Sequence, residues 1–109
     1  MKIRLFITGG TIDKVYNKSN GELEFDKTHF PEILSRARVE VDLLIEELLF
    51  IDSLDMVEAD RGLILEKCAQ CEERFILITH GTDTMCETAR LLGESSIDKT
   101  IVLFGSMVP

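Results

Sequence analysis

Residues 7–11 read I-T-G-G-T and residues 78–82 read I-T-H-G-T, so the chain uses one short phrase twice. Each copy follows an apolar run, residues 3–7 and 75–78, and each breaks at glycine before presenting a threonine. An aspartate follows both, Asp13 after one intervening residue and Asp83 at once. An apolar run that ends at glycine reads as a buried strand running into a turn. If the two strands lie side by side in a parallel sheet, both turns open onto one crevice at the carboxyl ends. Open α/β sheets bind their ligands there. Thr11 and Thr82 then form two faces of one candidate site.

The rest of the chain supports such a sheet. Residues 22–25 alternate polar and apolar, which suits a short edge strand or hairpin arm. The polar stretch 17–22 before them, with its Asn20-Gly21 dipeptide, reads as a mobile loop. Pro31 fits the first turn of a helix to about Arg38, with Thr28 as its cap. Residues 42–51 satisfy either a helix or a strand, and alternation favours a strand over 44–51. Asp60 opens a helix whose Leu63, Ile64, Cys68 and Cys71 form one apolar stripe. A strand over 75–79, a helix over 84–92 stopped by Gly93, and a strand over 101–104 complete the pattern.

The resulting order, β-α-β-α-β-α-β, predicts an α/β fold with a doubly wound, flavodoxin- or Rossmann-like, mostly parallel sheet and helices on both faces. Counting only those four main strands, the spatial order is 2-1-3-4. The two strands bearing the repeated phrase are then neighbours at the topological switch point. Residues 1–109 make one domain, and since such domains commonly continue with another helix and strand, a longer parent chain is expected.

Composition narrows the function. Twelve Lys+Arg against twenty Asp+Glu give a net charge of −8, with one Tyr, six Phe and no Trp. An acidic, aromatic-poor chain is a poor partner for nucleic acid or an anionic membrane. No apolar stretch approaches the ~20 residues of a membrane span, and no secretory signal opens the chain, so a cytoplasmic location is expected. Cys68 and Cys71 form a C-x-x-C, but late in a helix rather than at the helix start that activates a redox thiol. With Cys86 alone, and His29 and His80 distant in sequence, packing is the better reading of these cysteines than metal binding.

Four segments then carry a family likeness: T-G-G-T-I at 8–12, D-S-L-D-M at 52–56, H-G-T-D-T at 80–84 and G-S-M-V-P at 105–109. In order and approximate spacing they resemble the amino-terminal domain of bacterial-type L-asparaginases, whose two signature motifs are the first and third. The segments around Tyr16 and Ser53 look closest to the short, single-domain members. The resemblance implies an amidohydrolase that converts L-asparagine to L-aspartate and ammonia through a threonine nucleophile. It implies no cofactor or metal, and a homo-oligomer.

Carried over by position, the nucleophile is Thr11, and the tyrosine that assists it is Tyr16. Thr82 is the second catalytic threonine. Ser53 and Asp83 hold the substrate's α-carboxylate and α-amino group; Asp55, two residues after Ser53, is a further candidate for substrate contact but is not part of that carry-over. From the residues themselves, the backbone N–H groups around Gly10 and Gly81 suit oxyanion stabilisation, because no Cβ blocks close approach. Asp83, at a helix start, suits an ammonium group.

Three departures stand beside the likeness. Leu54 occupies a position where two-domain members often place a substrate-contacting glutamine. The lysine that partners the second threonine lies beyond Pro109 in the family, and so does the carboxylate lent by a neighbouring subunit. The alternative function is therefore an inactive fragment or a module that binds aspartate or asparagine without turnover. Each site residue also has a plainer role: Thr11, Ser53, Asp55, Thr82 and Asp83 as turn or cap residues, Tyr16 as cover for apolar surface.

Overall fold

Four parallel strands carry the architecture. The computed structural model describes residues 1–25, 28 and 30–108; His29, and Pro109 at the end of the G-S-M-V-P segment, lie outside them. In chain order the strands and helices are β1 (Lys2–Ile7), β2 (Lys14–Asn17), β3 (Glu22–Phe25), α1 (Phe30–Ala37), β4 (Asp42–Glu47), α2 (Glu58–Gln70), β5 (Phe75–Thr79), α3 (Met85–Glu94) and β6 (Thr100–Phe104). The main sheet has the order β4-β1-β5-β6, all parallel. This is the 2-1-3-4 arrangement of a doubly wound sheet. β1 and β5, the strands of the repeated phrase, are hydrogen-bonded neighbours, with Ile7 opposite Thr79.

The core follows from strand alternation. Leu5 and Ile7 point to one face of the sheet, where Phe30 and Leu34 of α1 cover them. Phe6, Ile76 and Ile78 point to the other, against Ile64 and Cys68 of α2 and Leu92 of α3. Successive side chains of a strand face opposite ways, so a continuous apolar run is what a strand covered on both sides requires. Fully burying an aliphatic side chain of this size stabilises by about 1.5–3 kcal/mol. Both faces of β1 are therefore closed.

Several boundaries differ from the sequence reading. β4 spans Asp42–Glu47 rather than residues 44–51. Beyond it the N–H groups of Leu48 and Leu49 both donate to the Ile7 carbonyl, at 2.8 and 3.1 Å, and Ile51 N–H donates to Thr8 O at 3.1 Å. Those apolar residues wrap over the end of β1 instead of extending the ladder. α2 opens at Glu58, and Asp60 acts from its third position, its carboxylate accepting the Val57 N–H at 2.9 Å. Such a reach back satisfies a backbone donor at the helix start. Gly93 does not stop α3, which runs to Glu94; the chain reverses at Ser96, in the left-handed region at φ 58°.

The polar stretch read as a loop is the tip of a hairpin. β2 pairs antiparallel with β3, Lys14 opposite Phe25 and Asn17 opposite Glu22. Asn17 Oδ1 accepts the Ser19 N–H and Asn20 Oδ1 accepts the Glu22 N–H, both at 2.9 Å. Gly21 takes a φ of 74°, which a side chain would resist.

Candidate functional site

Three connections meet at the carboxyl ends of β1, β4 and β5. Gly9 and Gly10 are buried at φ 111° and 92°, a region that L-residues with a Cβ avoid. A Cβ on Gly10 would stand 2.8 Å from the Gly81 nitrogen and 2.9 Å from the His80 carbonyl carbon. One on Gly81 would stand 2.6 Å from Ser53 Oγ. The two turns of the repeated phrase are thus in backbone contact, with the 53–55 turn packed on the second. Thr8 and Thr79 brace the strand ends beneath them: Thr8 N–H donates to Thr79 Oγ1 at 3.1 Å, and Thr8 Oγ1 donates to the Thr79 carbonyl.

Thr11 and Thr82 follow directly from the apposed glycines. Thr11 opens a 3-10 turn, Thr11–Asp13, and is half-buried; Thr82 and Asp83 are exposed. Neither threonine hydroxyl has a hydrogen-bond partner among the described residues. The 3-10 turn is anchored by Asp13, whose N–H donates to Gly10 O at 3.1 Å and whose buried carboxylate accepts from Thr28 Oγ1 at 3.2 Å.

Ser53 is fully buried at the start of its own 3-10 turn, Ser53–Asp55. Its hydroxyl oxygen accepts the Thr84 N–H at 3.2 Å, while Thr84 Oγ1 donates to Ser53 O at 2.8 Å. The Ser53 hydroxyl itself donates to no group among the described residues. Asp55, in the same turn, is exposed, and so is Leu54.

Tyr16 is apart from these residues. It lies on β2, is 61% exposed, and its hydroxyl is 3.7 Å from where a Gly21 Cβ would sit, beside the hairpin tip. The hairpin base is tied to the site by Lys14, whose Nζ lies 2.5 Å from Asp52 Oδ2 and 5.4 Å from the Phe25 ring centroid. The sequence reading missed this pair, because 38 residues separate its members.

Beneath Gly81 lies a second buried cluster. His80 is fully buried, with Nδ1 2.7 Å from Gly81 O and Nε2 2.7 Å from Thr88 Oγ1. Thr88 Oγ1 accepts from Arg61 Nε at 3.3 Å. Burial pushes the His80 pKa down; the Gly81 hydrogen bond opposes this, the Arg61 charge adds to it, and the Glu87 charge opposes it. The net effect favours the neutral ring.

Elsewhere, a cavity of about 470 Å³ lined by Met1, Lys2, Glu73, Arg74 and Phe75 opens at the amino-terminal ends of β1 and β5. That is the opposite end from the glycine turns and holds none of their chemistry. No group of His, Cys, Asp and Glu among the described residues could hold a metal ion. No helix among them is long and apolar enough to cross a membrane.

With this geometry in view, the sequence matches the family described as Asparaginase, N-terminal, over residues 2–109. No curated protein matches the sequence. Among solved structures, the thermostable L-asparaginase from Thermococcus kodakarensis is similar with a TM-score of 0.83 and 28% identity, over 100% of this chain and 35% of that one. L-asparaginase I from Vibrio cholerae gives 0.83 and 27%, over 99% and 34%. The probable cytoplasmic L-asparaginase from Campylobacter jejuni gives 0.82 and 32%, over 99% and 35%. The chain spans about a third of the length of these structures.

Proposed function

The chain belongs to the asparaginase family by its match to the N-terminal domain along residues 2–109, and we propose that it serves an L-asparaginase-like amide hydrolysis. In this reading residues 1–109 act as one domain of a homo-oligomeric, cytoplasmic enzyme that releases ammonia and L-aspartate from L-asparagine without a cofactor. Thr11 Oγ1 attacks the side-chain amide carbon, and the acyl-threonine is then hydrolysed by water. A threonine hydroxyl is a weak nucleophile and needs a neighbour to take its proton. Tyr16 serves that role after the hairpin swings toward Thr11, away from its seat beside Gly21. The N–H groups around Gly10 and Gly81 stabilise the oxyanion, where loss of one donor costs ~3 kcal/mol. Ser53 donates to the substrate α-carboxylate, Asp83 holds the α-ammonium, and Thr82 and Asp55 complete the pocket.

The observation that carries this reading is the contact between the Gly10 and Gly81 backbones, with Ser53 packed on the latter. It supports the reading because Thr11 follows Gly10 directly and Ser53 packs on Gly81, so the residues assigned these roles are close to one another. Ammonia release from asparagine by the purified protein tests it, and a rate unchanged in Thr11→Ala would remove Thr11 as the nucleophile. A second reading, a module that binds aspartate or asparagine without turnover, is favoured by the seat of the Tyr16 hydroxyl at the hairpin tip. Calorimetry with aspartate beside the ammonia assay separates the two: heat of binding without ammonia selects the module.

A further inference from the structure

We propose that His80 is a positioning residue: a buried chain running Arg61 to Thr88 to His80 to the Gly81 carbonyl turns the 81–82 peptide so that the Thr82 N–H faces the crevice. The use of that N–H as a donor to substrate rests on the function proposed above. The orientation itself rests on geometry alone.

For a neutral ring the hydrogen bonds favour one proton arrangement, because the Met56 sulfur, 3.8 Å from Thr88 Oγ1, is a weaker acceptor than an imidazole nitrogen. A carbonyl oxygen only accepts, so at 2.7 Å from Gly81 O the His80 Nδ1 carries the proton. In a neutral imidazole Nε2 then accepts, and the Thr88 hydroxyl 2.7 Å away donates to it. With its O–H directed at His80 Nε2, Thr88 Oγ1 accepts the Arg61 Nε–H at 3.3 Å through a lone pair. Each donor in the series meets an acceptor. His80 and Thr88 are fully buried and Arg61 is 7% exposed, so no water competes for these positions. Arg61 is held in turn by Glu58, at 3.2 Å.

The consequence falls on the next residue. A trans peptide is planar, with its C=O and N–H pointing in opposite directions, and no cis bond occurs among the described residues. The Gly81 carbonyl points inward to a ring with no exposed surface, so the Thr82 N–H points outward. Thr82 is exposed, and its N–H has no partner among the described residues. A glycine at 81 would otherwise let this peptide rotate with little resistance. His80 removes that freedom, and α2 and α3 hold His80. The residue between the strand and the glycine thus orients the turn from below and never touches substrate.

The test separates orientation from mere packing. In the full chain with 15N-labelled histidine, the expected signature at pH 7 is a neutral ring protonated on Nδ1, with a coupling from Nδ1 across the hydrogen bond to the Gly81 carbonyl. An Nε2-protonated or charged ring overturns the proposal. His80→Asn places an amide nitrogen near the Nδ1 position, whereas His80→Gln reaches only toward Nε2. Ammonia release, or aspartate affinity if turnover is absent, should stay within about threefold in His80→Asn and fall about tenfold or more in His80→Gln, the scale of one well-placed donor. Equal losses in the two variants would leave only a packing role and overturn the proposal. Thr88→Ser, which keeps the hydroxyl, should retain the wild-type ring signature; Thr88→Val should broaden it, and an unchanged spectrum in Thr88→Val overturns the chain. If the wild-type protein neither binds nor hydrolyses, the functional reading fails while the ring signature still decides the orientation.

Discussion

Lys14 and Asp52 form an ion pair at 2.5 Å that joins the base of the β2–β3 hairpin to the residue just before Ser53. The lysine side chain is 13% exposed and lies over Phe25, so its charge is partly removed from water. Two segments far apart in sequence, one carrying Tyr16 and one carrying the buried serine, are coupled by this contact. Because it is only partly screened, the pair is worth about 1 kcal/mol, the upper end for exposed pairs.

Asp52→Asn should therefore loosen the hairpin without unfolding the sheet. Limited trypsin digestion at Lys18, in the hairpin tip, should speed up by about fivefold, the equivalent of about 1 kcal/mol of local opening. An unchanged rate would mean that the β2–β3 ladder alone holds the hairpin.

Gly10→Ala should be among the most damaging single-methyl changes in the chain. It forces an alanine into a φ of 92° and drives its Cβ to 2.8 Å from the Gly81 nitrogen. The backbone term alone costs about 1–2 kcal/mol, and the clash adds to it because the obstacle is backbone. Thermal unfolding should show a midpoint lower by about 8 °C or more. Gly62→Ala, where a Cβ meets nothing within 4 Å, is the matched control.

The three thiols should react in an order set by burial. Cys86 is exposed, Cys71 half-buried and Cys68 fully buried. Burial, and then the neighbouring Cys71, push the Cys68 pKa up to about 12, against the opposing charge of Lys99. Since the thiolate is the reactive form, iodoacetamide at pH 8 should label Cys86 first and Cys68 only on unfolding. Mass spectrometry of the time course checks this, and early labelling of Cys68 would contradict the packing of α2 on the sheet.

Stability should fall in mild acid through His80. Its folded pKa lies below the ordinary value of 6.5, so below pH 6.5 the unfolded chain takes up a proton that the folded chain refuses. The contribution is fully present above pH 6.5 and is lost as pH falls toward the folded value, with a slope of up to about 1.4 kcal/mol per pH unit. Arg61 on α2 reinforces the depression, Glu87 on α3 opposes it, and Glu58 pairs with Arg61. Chemical denaturation between pH 7.5 and 5 should show this slope in the wild type and lose it in His80→Asn.

The central strands were legible because their information is local. A run of apolar residues broken by glycine marks a covered strand and its turn, and the same phrase at residues 7 and 78 marks two such strands. The extent of β4 was not legible, because Leu48 and Leu49 leave the ladder for a carbonyl of β1, and nothing within residues 44–51 announces that partner. The end of α3 was misread for a related reason: Gly93 is a good stop in isolation, yet Ser95 supplies the cap itself, its hydroxyl donating to Leu92 O at 2.6 Å. Within the site, the apposition of the two turns followed from topology. The seat of Tyr16 did not, since a hairpin arm over 22–25 was legible but not the register that sets the Tyr16 hydroxyl beside Gly21. Thr88 stayed hidden as one polar residue inside a helix, its importance visible only once Arg61 and His80 converge on it.

The pairing of Ile7 with both Glu47 and Thr79 has one more effect. A strand can shift against its neighbour only in whole residues, about 3.3 Å at a time, and each odd step exchanges its two faces. The height of one threonine above the other is therefore digital, and slippage offers no fine adjustment. Any graded tuning of the gap between Thr11 and Thr82 falls to the few bonds after each glycine, so natural or designed variants seeking a different amide should change those bends and leave the ladders untouched.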